Sequence, residues 1–307
     1  MVGPESRLCD GDAPQRRISN NQSSRGRGLY LPSRDAADNR WIENLLAGRA
    51  EGSVAIVAAH PDDETIGAGG SLPRFGEATL LHLTDGAPRD GRDAAAAGFE
   101  TREAYAAARR REMIAAVALA GIPIERCIEV GQVDQEASLH LDRLACRLAD
   151  WIGETRPDFI LTHPYEGGHP DHDAAAFAVH AARRLLAREG WPAPNVAEFT
   201  SYHLRDGVFA AGVFLPAEGF EESAVPLSEA ERELKARMFA CFATQRQVLS
   251  AFRIETERFR PAPAYDFTRP PHPGPLHYES FDWGMTGARW RGLAGEALRT
   301  LGLEGPL

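Results

Sequence analysis

Apolar and polar positions alternate along this chain in blocks of two kinds. Short apolar runs at 53–59, 78–83, 127–130 and 158–162 have the length of strands buried on both faces of a parallel sheet. Longer segments at 105–120, 139–154 and 171–189 carry apolar residues at helical spacing, the first of them Ala-rich and closed by Gly121 and Pro123. Strand and helix in turn predict a doubly wound, Rossmann-like α/β core: a mostly parallel sheet with right-handed crossovers and helices on both faces. Ligands bind such sheets beyond the carboxyl ends of the strands. The polar clusters with chemical potential fall at those ends: His60-Pro61-Asp62-Asp63-Glu64, Thr84-Asp85-Gly86, Gly131 to Asp134, and His163-Pro164.

Residues 1–36 show neither period and are rich in Ser, Arg, Asn, Gly and Pro, so a tail outside the fold is expected there. Residues 37–307 read as a single domain. Its last part, 250–307, is dense in Pro and aromatics, among them Phe259, Tyr265, Phe267, Tyr278, Phe281 and Trp283, and is expected to form an irregular cover near the pocket. The tail has no apolar stretch of the kind that makes a secretory signal, and nowhere do about 18 apolar residues run together. No membrane span and a cytoplasmic location are therefore expected.

The formal net charge is −10, and the densest basic patch is Arg109-Arg110-Arg111, which excludes an electrostatic footprint for nucleic acid. Cys9, Cys127, Cys146 and Cys241 form no C-x-x-C pair, so they offer no thiolate metal site and read as reduced packing residues. The partner implied is a small molecule, and the composition leaves a homo-oligomer open.

His60 and Asp63 lie three residues apart across a strand-to-helix junction, which lets an imidazole and a carboxylate converge on one ion with Asp62 beside them. Far downstream, His169-Pro170-Asp171-His172 offers two more imidazoles. Three N/O ligands and an open position for water make a catalytic Zn2+ site, and a donor set without cysteine also suits Fe2+, Co2+ or Mn2+. The acidic run alone could instead be a helix N-terminus, with Asp62, Asp63 and Glu64 complementing the dipole. A second histidine motif at another strand end weakens that alternative. A nucleotide-binding reading fails on Gly67-Ala68-Gly69-Gly70, which lacks the G-x-G-x-x-G spacing and follows an acidic cluster.

The two motifs together resemble the N-acetylglucosaminyl-phosphatidylinositol de-N-acetylase family, the PIG-L or LmbE-like deacetylases, over residues 54–245. The resemblance implies a three-layer LmbE-like sandwich with His60, Asp63 and His172 as metal ligands. It makes Asp62 the general base that takes a proton from water, and His169 the group that stabilises the oxyanion or assists the leaving amine. A neighbouring cation would keep Asp62 ionised, an imidazolium at His169 would face the developing charge, and Asp171 would orient a ligand histidine through its other ring nitrogen. Asp134, in Gly131-Gln-Val-Asp134, matches a family position that binds sugar hydroxyls, and Arg109, in Arg-x-x-Glu112, one that can reach substrate. Thr84-Asp85-Gly86 and the segment 235–245 match further family loops. The activity implied is zinc-dependent hydrolysis of an N-acyl, chiefly N-acetyl, bond on an amino-sugar substrate, giving an amine and a carboxylate. The alternative is a metal-dependent amidase acting on a thiol conjugate or another non-sugar amide. His163 reads equally as a helper of the site or as a loop histidine.

Overall fold

A computed structural model describes residues 40–307; the expected tail at 1–36 lies outside the described residues. The chain runs through α1 (Arg40–Leu46), β1 (Val54–Ala58), α2 (Asp63–Ala68), β2 (Thr79–Pro88), α3 (Arg92–Ala96), α4 (Arg102–Leu119) and β3 (Cys127–Asp134). It continues through α5 (Leu141–Thr155), β4 (Phe159–Thr162), α6 (Pro170–Arg188), β5 (Asn195–Phe199) and a hairpin of β6 (Tyr202–Arg205) and β7 (Val208–Ala211). The last part holds β8 (Ser223–Pro226), α7 (Glu229–Cys241), α8 (Arg246–Leu249), β9 (Thr256–Pro261) and α9 (Gly287–Leu301).

The main sheet has the order β3-β2-β1-β4-β5-β9-β8. Strands β3, β2, β1, β4 and β5 are parallel, and β9 and β8 extend the edge antiparallel. This is the mostly parallel, Rossmann-like α/β sheet that the alternating pattern predicts. Successive side chains of a strand point to opposite faces, and the apolar runs therefore feed two cores. Ala55, Val57, Leu81, Leu83 and Ile160 pack with the Ala-rich α6, with α5 and with α9. Val54, Ile56, Leu80, Phe159 and Leu161 pack with α1, α4 and α7. The outward order of strands reverses between β1 and β4, so the crevice at their carboxyl ends is the switch point at which open α/β sheets take ligands.

Helix α6 is the axis of the site. Its residues from Pro170 to Ala182 are all buried, including the polar Asp171, His172, Asp173 and His180. A stretch of small alanines lets it lie close to α5 and to the sheet. Trp290 of α9 is fully buried and donates from Nε1 to the Pro170 carbonyl at 3.0 Å, which anchors α9 over the start of α6.

One expectation needs correction. The segment 250–307 is not irregular throughout, since it contributes β9 to the main sheet and α9 to the core. Proline and aromatic density masks both elements, because Phe259 and Trp290 are core residues there and not loop residues. Cys127 and Cys241 are free thiols. Among the described residues no helix is long and apolar enough to cross a membrane.

Candidate metal centre and active site

Strand β1 delivers its chain directly into the site. After Ala59 the backbone turns, with Asp62 N–H bonded to the His60 carbonyl at 3.0 Å, and α2 starts at Asp63. The Asp63 carboxylate folds back and accepts the His60 backbone N–H at 2.7 Å, fixing the two side chains relative to each other. Helix α6 supplies the third group. His169 caps it by accepting the Asp171 N–H on Nδ1 at 3.2 Å, Pro170 takes the first helical position where no N–H is needed, and His172 follows within the first turn.

Donor atoms of three residues then meet. His60 Nδ1 lies 3.2 Å from Asp63 Oδ2, His172 Nε2 lies 3.2 Å from His60 Nδ1, and His172 Nε2 lies 3.2 Å from Asp63 Oδ1, so the carboxylate presents one oxygen to each ring. A tetrahedral ion with bonds of about 2.0–2.1 Å needs ligand atoms roughly 3.3–3.4 Å apart, and the spacing within this triangle of residues is close to that. All three residues are buried. Two ring nitrogens 3.2 Å apart beside one carboxylate form a donor set of the kind that a cation satisfies. The chemistry of the donor set therefore fits a divalent metal. The possible ligands fall into three overlapping groups: His60, His169 and His172; His60, Asp134, His169 and Asp171; and Asp63, His163 and His172.

The remaining edges of the ligand rings are held by neighbours. His60 Nε2 faces Asp134 Oδ1 at 3.1 Å and Asp171 Oδ2 at 3.4 Å. His172 Nδ1 sits 3.3 Å from Ser201 Oγ, just beyond the end of β5. Such partners orient a ligand imidazole and select the nitrogen that faces the metal. Asp171 also accepts the backbone N–H groups of Gln135 at 2.6 Å and Ala137 at 3.0 Å, which ties the end of β3 to the start of α6. His163 stacks on His172 with centroids 4.1 Å apart, accepts the Ala59 N–H on Nε2, and lies 3.2 Å from Asp63 Oδ2.

Asp62 points away from the triangle's backbone turn toward α4, where Arg109 donates from Nη2 to its Oδ2 at 2.8 Å. Arg109 also donates to the Gly86 carbonyl at 2.6 Å, and its Nη1 is 3.9 Å from Asp134. The guanidinium is buried, and its two Nη groups are taken by protein acceptors while Nε has none. Gly86, at φ 65, is required here: a Cβ would lie 2.6 Å from Arg109 Nη1.

The electrostatics follow from burial first. Burial pushes the Asp62 carboxyl up to about 7, and the Arg109 guanidinium opposes but does not cancel it. Burial also raises Asp63 and Asp134, yet the surrounding imidazoles outweigh it and hold both carboxyls below the usual range. His60 goes the other way: burial lowers it, but Asp134 and Asp63 raise it well above an ordinary imidazole. Burial and the neighbouring His60 hold His169 well below its usual value, and His163 is pushed down to about 4 by burial and His172. Burial and the neighbouring charge thus disfavour the imidazolium at His169, and its Nδ1, which accepts the Asp171 N–H, leaves Nε2 as the nitrogen free to donate.

The structure brings His60, Asp62, Asp63, Asp134, His169, Asp171 and His172 into one buried cluster, with Arg109 behind Asp62. Asp134 also lines a cleft of about 240 Å³ together with Arg89, Glu136, Leu139, Trp283 and Arg289. Sequence reasoning misses Ser201, whose only signal is its place just after an apolar strand. It also misses the clamp that positions His169: Asp173 Oδ1 accepts the Glu166 N–H at 3.2 Å and the Gly167 N–H at 3.0 Å. In that loop Gly168 packs so close to the hairpin that a Cβ would lie 1.9 Å from the Tyr202 carbonyl oxygen. Gly168→Ala is expected to cost about 1–3 kcal/mol by overpacking, read as a lower Tm, and to reduce turnover by displacing His169. An unchanged Tm and rate would show that the loop is not held as described.

The profile of the family described as PIG-L, GlcNAc-PI de-N-acetylase, matches residues 55–183. Among curated proteins, 1D-myo-inositol 2-acetamido-2-deoxy-alpha-D-glucopyranoside deacetylase of Nakamurella multipartita is 30% identical over 258 residues, which span 69% of this chain and 87% of its own. A probable N-acetyl-alpha-D-glucosaminyl L-malate deacetylase 2 of Bacillus cereus is 31% identical over 162 residues, 49% of this chain and 69% of that one. Among solved structures, a deacetylase from the biosynthesis pathway of teicoplanin superposes with a TM-score of 0.54 at 17% identity, covering 68% of this chain and 97% of its own. At that identity the match speaks for the fold.

Proposed function

The chain belongs to the PIG-L family, and from that premise we propose that it is a metal-dependent deacetylase that hydrolyses the N-acetyl group of an N-acetylglucosamine-containing small molecule. The observation that carries the reading is the triangle of His60, Asp63 and His172 donors, with Asp62 adjoining it in the chain and His169 beside it. The names of the Nakamurella and Bacillus relatives support the amino-sugar class.

His60, Asp63 and His172 would hold the metal. Zn2+ is the first choice, with Fe2+, Co2+ and Mn2+ compatible with the same donors. When bound, the metal supplies Lewis acidity toward the acyl carbonyl and the attacking water. Asp62 takes the proton from that water and can return it to the departing amine. It suits the task because burial sets its pKa near neutrality, where a base is both ionised and strong enough. His169 donates from Nε2 to the developing oxyanion. Its Nδ1 is committed to the Asp171 N–H, which aims the ring. Asp171 orients His60 and holds the β3 loop, and from that loop Asp134 offers its carboxylate to substrate hydroxyls. We assign Arg109 to positioning Asp62 in place of a substrate contact, because its donors already serve Asp62 and the Gly86 carbonyl. Residues 37–307 act as one domain in this reading, with 277–283 beside the cleft.

The test is acetate release by the purified chain from N-acetylglucosamine, its glycosides, and N-acylated thiol conjugates, before and after chelation. Metal-dependent release from the sugars alone is expected. Release only from the thiol conjugates would transfer the reading to the amidase alternative, and no release from any would sink both.

A further inference from the structure

Rings from three separate segments meet around the mouth of the cleft and join His169 to His172. Trp283 lies 4.9 Å from His169 and stacks on Phe281 at 4.4 Å with planes 9° apart. Phe281 meets His277 at 5.1 Å, and His277 meets Phe209 of the β6–β7 hairpin at 5.2 Å. Phe209 meets Tyr202 at 5.8 Å, and Tyr202 meets His172 at 5.2 Å. His277 fastens this rim to the catalytic loop, since its backbone N–H donates to the Gly167 carbonyl at 2.9 Å.

Single exposed apolar side chains need no explanation, but clustered ones do. Phe209 is 45% exposed, Phe281 43% and Leu139 40%; Leu139 lines the cleft with Trp283, and Phe281 and Phe209 extend outward from Trp283 through the chain of rings. Of the charged groups that line the cleft, Arg89 Nε and Nη2 reach the Glu136 carboxylate and Arg289 donates to the Gly284 carbonyl, while Asp134 Oδ1 has no hydrogen-bond partner and stays open to sugar hydroxyls. Beyond these polar groups, the surface that the chain of rings offers a ligand is aromatic.

We propose that this rim, with Phe281 and Phe209 as its exposed faces, binds an aryl or similarly flat apolar aglycone attached to the amino sugar, and so determines substrate specificity. The sugar half of the proposal rests on the deacetylase reading, while the rim itself does not. Ring stacking discriminates through contact area and geometry, at about fivefold for one ring pair. The rim thus favours substrates whose second half is apolar over those whose second half is small and polar.

The test compares binding of phenyl and methyl β-D-glucosaminide to the full chain by calorimetry, alongside acetate release from the two N-acetylated forms. The phenyl compound is expected to bind about fivefold tighter, with that ratio falling toward one in both Phe281→Ala and Phe209→Ala. Trp191→Ala, which removes an exposed ring stacked on Arg156 ahead of β5, is expected to keep the ratio. Because each variant is its own control, equal weakening of both ligands overturns the rim's role, as does a wild-type ratio of one. A phenyl preference that vanishes in the variants, without acetate release from either N-acetyl glycoside, would uphold the rim and remove the deacetylase reading.

Discussion

Asp62→Asn is expected to lower kcat by roughly a thousandfold, within the usual 10²–10⁴ range for a lost general base, while the protein keeps its metal and its Tm. The amide has the shape of the carboxylate and can still accept the Arg109 Nη2 hydrogen bond, which at 2.8 Å is the contact that holds Asp62 in place. What it cannot do is take a proton from water. Asp62 works only as the anion, so kcat/KM rises with pH through its pKa. Burial places that value at about 7 among the protein's own groups, and a bound dication draws it lower. The lowering by Arg109 is already part of that value, so removing the guanidinium in Arg109→Gln must move the acidic limb to higher pH. A pH–rate profile of wild type and Arg109→Gln reads this directly. A limb that stays in place would show that Asp62 is not the titrating base, whatever the rate loss of Asp62→Asn.

Much of this architecture is legible in the sequence. The apolar runs at 53–59, 78–83 and 158–162 correspond to β1, β2 and β4, because strands buried on both faces must be apolar at every position. The helical pattern at 171–189 corresponds to α6 within a residue at each end. The triangle of His60, Asp63 and His172 is legible because its members come from two compact motifs, each local in sequence and each at a strand end. What is not legible depends on contacts between distant segments. Ser201 meets His172 only because β5 pairs with β4, and nothing in its own neighbourhood marks it. Arg109 is a plausible substrate ligand on a helix face until folding buries it against Asp62. The protonation states of Asp62 and His169 come from burial and not from residue type. Helix α9 escapes because the aromatics flanking it resemble loop composition, although Trp290 is core.

Stripping the metal is expected to abolish turnover and lower Tm by on the order of 5 °C or more, with both restored when Zn2+ returns. Without the ion, the buried His60, Asp63 and His172 must satisfy one another by sharing protons. Asp134 and Asp63 raise the His60 pKa well above its ordinary value, so the metal-free protein holds a proton on His60 that the metal must displace. The sign follows: metal affinity is weaker at low pH, climbs as pH rises, and levels off only above the raised pKa of His60. Proton release on metal binding, measured by calorimetry in buffers of different ionisation enthalpy, tests this without reference to any substrate. His172→Ala leaves two of the three donors and should cut metal content to background under conditions that saturate wild type, with turnover falling in parallel. Titration with Fe2+, Co2+ and Mn2+ in place of Zn2+ identifies which ion gives the fastest enzyme. Full activity of the stripped protein would remove the metal dependence, and one tightly held ion in His172→Ala would move the metal centre from the 3.2 Å triangle to the overlapping group of His60, Asp134, His169 and Asp171.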